Sequence, residues 1–80
     1  MAGFQRLGLP SAMELRRIVA RNLRRLRQQK GMSQEELADA AGINRNYVGM
    51  IERCENAASI DTLERLATAL GVDPAEFLSA

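Results

Sequence analysis

Residues 44–47 read Asn-Arg-Asn-Tyr, between the pair Gly42-Ile43 and two apolar residues at helical spacing, Val48 and Ile51. Two carboxamides, a guanidinium and a phenol make a dense set of hydrogen-bond donors and acceptors at the start of a helix whose back is apolar. Such a set recognises a patterned polar surface; it does not make or break bonds. The rest of the chain agrees. It has no histidine and one cysteine, Cys54, which argues against a zinc site or a disulfide framework. No nucleophile–base pair, metal-ligand cluster or phosphate-cradling glycine loop is visible. The sequence is therefore read as that of a non-enzyme with no cofactor and no metal.

Charge narrows the partner. Residues 1–31 hold eight Arg or Lys against the single acid Glu14, a net +7, whereas residues 32–80 hold three arginines against nine acids, a net −6. The overall +1 thus hides a basic block, which fits a polyanion but equally fits a solvated arginine-rich helix face. No apolar run approaches the roughly 18 residues needed to span a bilayer, and the start MAGFQRLGLP lacks the apolar stretch of a signal peptide. The expected location is the cytoplasm.

Five helices are needed to position these residues, and their ends are legible. Eighty residues with three aromatics make one small domain with an aliphatic core. Ser11 and Glu14 form a capping-box pattern ahead of Leu15, Ile18, Val19, Asn22, Leu23 and Leu26, and Gly31 follows as a left-handed stop, so the first helix spans about 12–30. Ser33 and Glu36 repeat the box, and the second helix stops at Gly42. Asn44 caps a third helix reaching about Arg53. Ser59 or Asp61 starts a fourth, with Ile60, Leu63, Leu66, Ala67 and Leu70 inward, ending at Gly71. Asp73-Pro-Ala-Glu76 opens a short fifth helix to about Leu78. No segment alternates with period two, so the fold class is all-α: a flexible segment 1–10 and a compact five-helix domain 11–80.

The second helix is short and Gly42 leaves almost no connection to the third. A turn this tight forces a steep crossing, and Ala38 permits close approach. That is the arrangement in which one helix lies across a DNA backbone while the next projects its N-terminal residues into the major groove.

With that geometry in view, "SQEELADAAGINRNYVGMIER", preceded by "LRRLRQQKGM" and followed by "TLERLATALGVDPAEFL", resembles the helix-turn-helix family of phage repressors, Cro and related bacterial regulators. The resemblance covers about residues 18–78, and "NRNYVGMIER" is most similar to the small controllers of restriction–modification systems. It implies a transcriptional regulator that binds double-stranded DNA at a palindromic operator as a homodimer. Arg45 and Asn46 match positions that meet base edges, and their chemistry fits guanine and adenine respectively; Met50, one turn on, suits a thymine methyl or a partner contact. Gln34 matches a position that bonds phosphate and braces the recognition helix. The caps Ser33 and Asn44, with Tyr47 and Arg53, complete the phosphate-contacting or positioning set. Tyr47 has two readings, a hydroxyl on phosphate or half-burial against the second helix. Gly49 reads either as room for the DNA backbone or as simple tolerance. Arg27 and Glu52 match a partly buried structural ion pair.

The chain departs from the family after Arg53. Where a glycine is usual it has Cys54, followed by Glu55, Asn56, Ala57 and Ala58. Cysteine resists positive φ, so the third helix is expected to run on and to use Asn56 as its left-handed residue; Cys54 itself reads as packing or as a thiol sensor. The dimer surface is expected among Leu70, Val72, Phe77 and Leu78. With no effector domain in view, regulation would act through occupancy, polymerase contact or another protein. The rival reading is a protein-interaction module, such as an antitoxin or bridging factor, on the same fold.

Overall fold

The computed structural model describes residues 11–79, so the expectation for residues 1–10 lies outside the described residues. Among these, four α-helices form: α1 (Ala12–Gln29), α2 (Gln34–Ala41), α3 (Arg45–Glu52) and α4 (Ile60–Leu70). The fifth expected helix is instead a 3₁₀ helix, Pro74–Leu78. Five residues starting on a proline close one tight turn but do not propagate an α-helix, so the five-helix count is corrected to four plus this turn. There is no strand, and no helix is long and apolar enough to cross a membrane, among the described residues.

Each start is made by the side chain that the sequence offers. Ser11 Oγ accepts from the Glu14 amide at 3.2 Å. The Ser33–Glu36 capping box is complete, at 2.9 and 2.8 Å. Asn44 Oδ1 accepts from the Asn46 amide at 2.8 Å, and Ser59, not Asp61, caps α4 by accepting from Thr62 at 3.1 Å. Each cap satisfies a backbone donor that the helix cannot, at a contribution of about 1 kcal/mol.

All four α-helices end alike, with the 6→1 and 5→2 amide bonds of a Schellman turn around one left-handed residue. At three ends that residue is a glycine; at the end of α3 it is Cys54, at φ 60°. The Glu55 amide donates to Met50 O at 2.9 Å and the Cys54 amide to Ile51 O at 3.0 Å. The expectation that α3 runs on to Asn56 is therefore wrong. Two backbone bonds and the closing loop outweigh the Cβ clash of a left-handed cysteine, which costs about 1–2 kcal/mol.

One core joins all the elements: Val19, Leu23 and Leu26 of α1, Leu37, Ala38 and Ala41 of α2, Val48 and Ile51 of α3, Leu66, Ala67 and Leu70 of α4, and Phe77. Ile60, expected inward, is the first residue of α4 and is 83% exposed, and Leu15, the first of the spaced apolar series in α1, is 40% exposed. Leu70 and Phe77, offered as dimer surface, lie in the core, whereas Leu78 stays exposed. Asn22 faces the same interior and ties the C-terminal turn to α1: its Nδ2 donates to Phe77 O at 2.9 Å and Ser79 O at 2.7 Å.

Candidate nucleic-acid interface

The α2–α3 junction is three residues, Gly42, Ile43 and Asn44. Gly42 at φ 69° reverses the chain, and the Ile43 amide bonds Ala38 O at 3.0 Å. Ile43 then packs on the core while Asn44 restarts helix. Ala38, fully buried, allows α2 and α3 to close on one another. With Val48 and Ile51 sealed behind it, α3 must turn Arg45 and Asn46 outward, and both are exposed, as are Ser33 and Asn44. Gln34, Tyr47 and Met50 are half-buried at the edges of this face.

Beneath the face lies a polar hub. The Glu52 carboxylate has no solvent-accessible surface, and Arg27 is 12% exposed. Arg27 Nε donates to Glu52 Oε2 at 2.7 Å, and its Nη2 to Oε1 at 3.0 Å. Gln34 Nε2 also donates to Oε1 at 3.0 Å, and Arg24 Nε approaches it at 3.4 Å. Arg27 Nη1 reaches on to Met32 O at 2.9 Å. Burial alone would push the Glu52 carboxyl up; the bonds from Arg27, Gln34 and Arg24 outweigh it and hold the group below the usual carboxylate range. Glu52 thereby locks α1, the start of α2 and the end of α3 into one frame. No buried side-chain nitrogen or oxygen lacks a partner among the described residues.

The Gln34 carboxamide is thus spoken for on its nitrogen side, as a brace for α3. Gly49 explains why it fits: a Cβ there would stand 3.2 Å from Gln34 Oε1 and 2.9 Å from Arg53 Nη1. What approaches this glycine closely in the structure is the protein's own side chains. Tyr47 donates its hydroxyl to Ala57 O at 3.2 Å and packs on the core, fastening the loop after α3. Spacing alone shows neither this tether nor the ion pairs Arg45–Glu35 and Arg53–Glu55, because partners across a turn follow no sequence period. Cys54 is half-buried in a shallow pocket with Arg17, Arg21 and Arg24.

The fold and this face can be set against known proteins. The helix-turn-helix family profile matches residues 23–77. A hypothetical transcription factor of Neisseria meningitidis is 44% identical over 64 residues, which are 80% of this chain and 60% of that protein, so the chain spans less than two thirds of that relative. The control protein C.SmaI of Serratia marcescens is 37% identical across 84% of this chain and 80% of its own length. The crystal structure of the restriction–modification controller C.AhdI of Aeromonas hydrophila superposes with a TM-score of 0.75 at 42% identity, covering 78% of this chain and 94% of that one. By name these relatives are regulators and controllers, not enzymes. The chain belongs to the helix-turn-helix family.

Proposed function

We propose that this chain is a sequence-specific transcriptional regulator that binds a palindromic operator as a homodimer, with α3 in the major groove. The observation that carries the proposal is the exposed Arg45–Asn46 pair at the start of a helix whose other face is sealed into the core and whose end is locked by Glu52. Arg45, Asn46 and Met50 read base edges. Ser33, Gln34, Asn44, Tyr47 and Arg53 contact phosphate or hold the reading helix in place, and the Gln34 and Tyr47 bonds described above favour the second role for those two. The names of the relatives support regulation of transcription, and two of them support a controller of a restriction–modification system. The domain is residues 11–80, acting in the cytoplasm.

Dimerisation is favoured by an apolar groove of about 280 Å³ between the N-terminal half of α1, Ala57, Ala58, Leu63 and Leu78. This groove is the apolar surface that a second copy would cover. One α3 reads only a few base pairs at about 1–3 kcal/mol each, so a second copy is what makes an operator distinctive.

Selection of binding sites from random duplex DNA tests the reading. A two-fold-symmetric consensus with half-sites about one helical turn apart supports it, and Asn46→Ala is expected to lose about 1–3 kcal/mol of discrimination at one position with its melting unchanged. No enrichment at low salt would replace the proposal with a protein-docking module of the antitoxin or bridging type.

A further inference from the structure

Both arginines on the proposed DNA face are held by carboxylates of the same chain, and the DNA-binding proposal gives those carboxylates no role. Arg53 is gripped along one edge: Nε donates to Glu55 Oε2 at 2.9 Å and Nη2 to Glu55 Oε1 at 3.1 Å. Its other terminal nitrogen, Nη1, lies over Gly49 beside the Gln34 carboxamide. The guanidinium is thus folded back over the middle of α3 instead of trailing past its end. Across the turn, Arg45 is ion-paired with Glu35 of α2. All four side chains are more than half exposed, and exposed ion pairs add little to stability. A guanidinium carries five donors in a rigid fork, so a carboxylate that takes one edge, as Glu55 does on Arg53, leaves donors unused.

We infer that Glu35 and Glu55 are specificity-determining residues that pair with Arg45 and Arg53, leaving each arginine its remaining donors for a correctly placed acceptor while withholding it from phosphates elsewhere on the duplex. The inference rests on the DNA-binding reading and deepens it. Non-specific binding comes almost entirely from neutralising phosphates. A paired arginine is already neutralised along one edge, reaching a phosphate off its axis means giving up that pair, and the carboxylate repels the phosphate. On the operator the remaining donors meet their acceptor without the pair breaking. The two glutamates therefore weaken binding to random sequence far more than binding to the operator.

The test measures binding of the 80-residue protein and its Glu55→Gln, Glu35→Gln and double variants to the selected operator and to a scrambled duplex, between 50 and 200 mM salt. Freeing one arginine for one phosphate is expected to steepen the salt dependence on scrambled DNA by about 0.9, which is about eightfold tighter binding at 0.1 M salt. Operator affinity is expected to change by less than about twofold, since there the arginine is already engaged by its acceptor and gains no further phosphate. The operator-over-scrambled ratio then falls several-fold with melting unchanged. A ratio that holds or rises overturns the inference, and so does a parallel loss of both affinities with lowered melting, which would make the pairs merely structural. If the wild type binds operator and the variants match it, only this inference fails. If the wild type binds neither duplex at low salt, the DNA reading fails and takes the inference with it.

Discussion

Replacing Glu52 by alanine should damage the fold before it touches specificity, and the size of the damage follows from the hub. Four contacts end on this carboxylate, two from Arg27, one from Gln34 and a longer one from Arg24. Removing it leaves the guanidinium of Arg27, a side chain 12% exposed in the intact protein, with Met32 O as its one other acceptor. Breaking one side of a buried pair costs about 3–5 kcal/mol, mostly because the surviving charge stays behind. The carbonyl contact and residual solvent access place this case near the lower end, about 3 kcal/mol. At about 4–8 °C per kcal/mol for a domain of this size, melting followed by circular dichroism should fall by roughly 12–24 °C. The double variant Arg27→Met/Glu52→Leu removes both charges and should recover much of the loss. A drop below about 4 °C for Glu52→Ala would refute the hub. A double variant no better than the single would show that the unpaired arginine is not the cause.

Three further outcomes follow from particular contacts. Cys54→Gly relieves the left-handed Cβ clash and costs some unfolded-state entropy, for a net gain of about 0.5–1 kcal/mol and a higher melting temperature, whereas Cys54→Ala keeps the clash and should not gain; a lower melting point for the glycine variant would refute the strain. Asn22→Ala strips the acceptors Phe77 O and Ser79 O of their donor and should cost about 1–3 kcal/mol. Limited proteolysis should then open the chain after residue 73, and an unchanged cleavage pattern would mean that the turn is held by Phe77 packing alone. Acid should destabilise the fold through Glu52. Its folded pKa lies below its unfolded value, so its contribution is full above the ordinary glutamate value of about 4.3 and is lost as pH falls through the lower folded value. With no histidine in the chain, no imbalance from imidazole arises between about pH 5 and 8. Denaturant titrations should show a flat plateau there and an acid limb that Glu52→Gln blunts; an identical limb in that variant would place the acid sensitivity elsewhere.

Helix existence, type and starts are readable because they depend on local rules. Ser33, Asn44, Ser59 and Asp73 each cap a backbone amide within three residues, and a spacing rule reaches that far. The outward face of α3 follows from the same periodicity that buries Val48 and Ile51. Sequence misleads where the answer depends on a comparison of energies or on partners distant in the chain. Cys54 has poor left-handed propensity, and propensity alone predicts continuation; two backbone hydrogen bonds and the Tyr47–Ala57 tether decide otherwise. Ile60 has the spacing of a core residue relative to Leu63 and Leu66, yet as the first residue of α4 it stays exposed. Asn22 sits in an apolar series because its burial is real; what the series cannot show is that its carboxamide reaches 55 and 57 residues on.

The hub also accounts for how so small a domain can hold the proposed reading face in a defined position. About 0.05–0.15 kcal/mol per residue leaves an 80-residue chain little stability to lose, and α3 has only eight residues, too few to hold helix on its own. Its order must come from both ends: Asn44 and the Ile43 anchor at the start, Glu52 and the Cys54 turn at the finish. Base reading requires donors fixed to within a fraction of an ångström, and Arg45 and Asn46 sit within the first turn after the capped end. Loosening Glu52 should therefore propagate to the face as a shared loss of stability and affinity. Loosening Glu55 acts on one arginine without moving the helix. The two glutamates, three residues apart, thus separate the two demands on α3: Glu52, buried, fixes where the helix lies, and Glu55, exposed, governs what one of its arginines is free to touch.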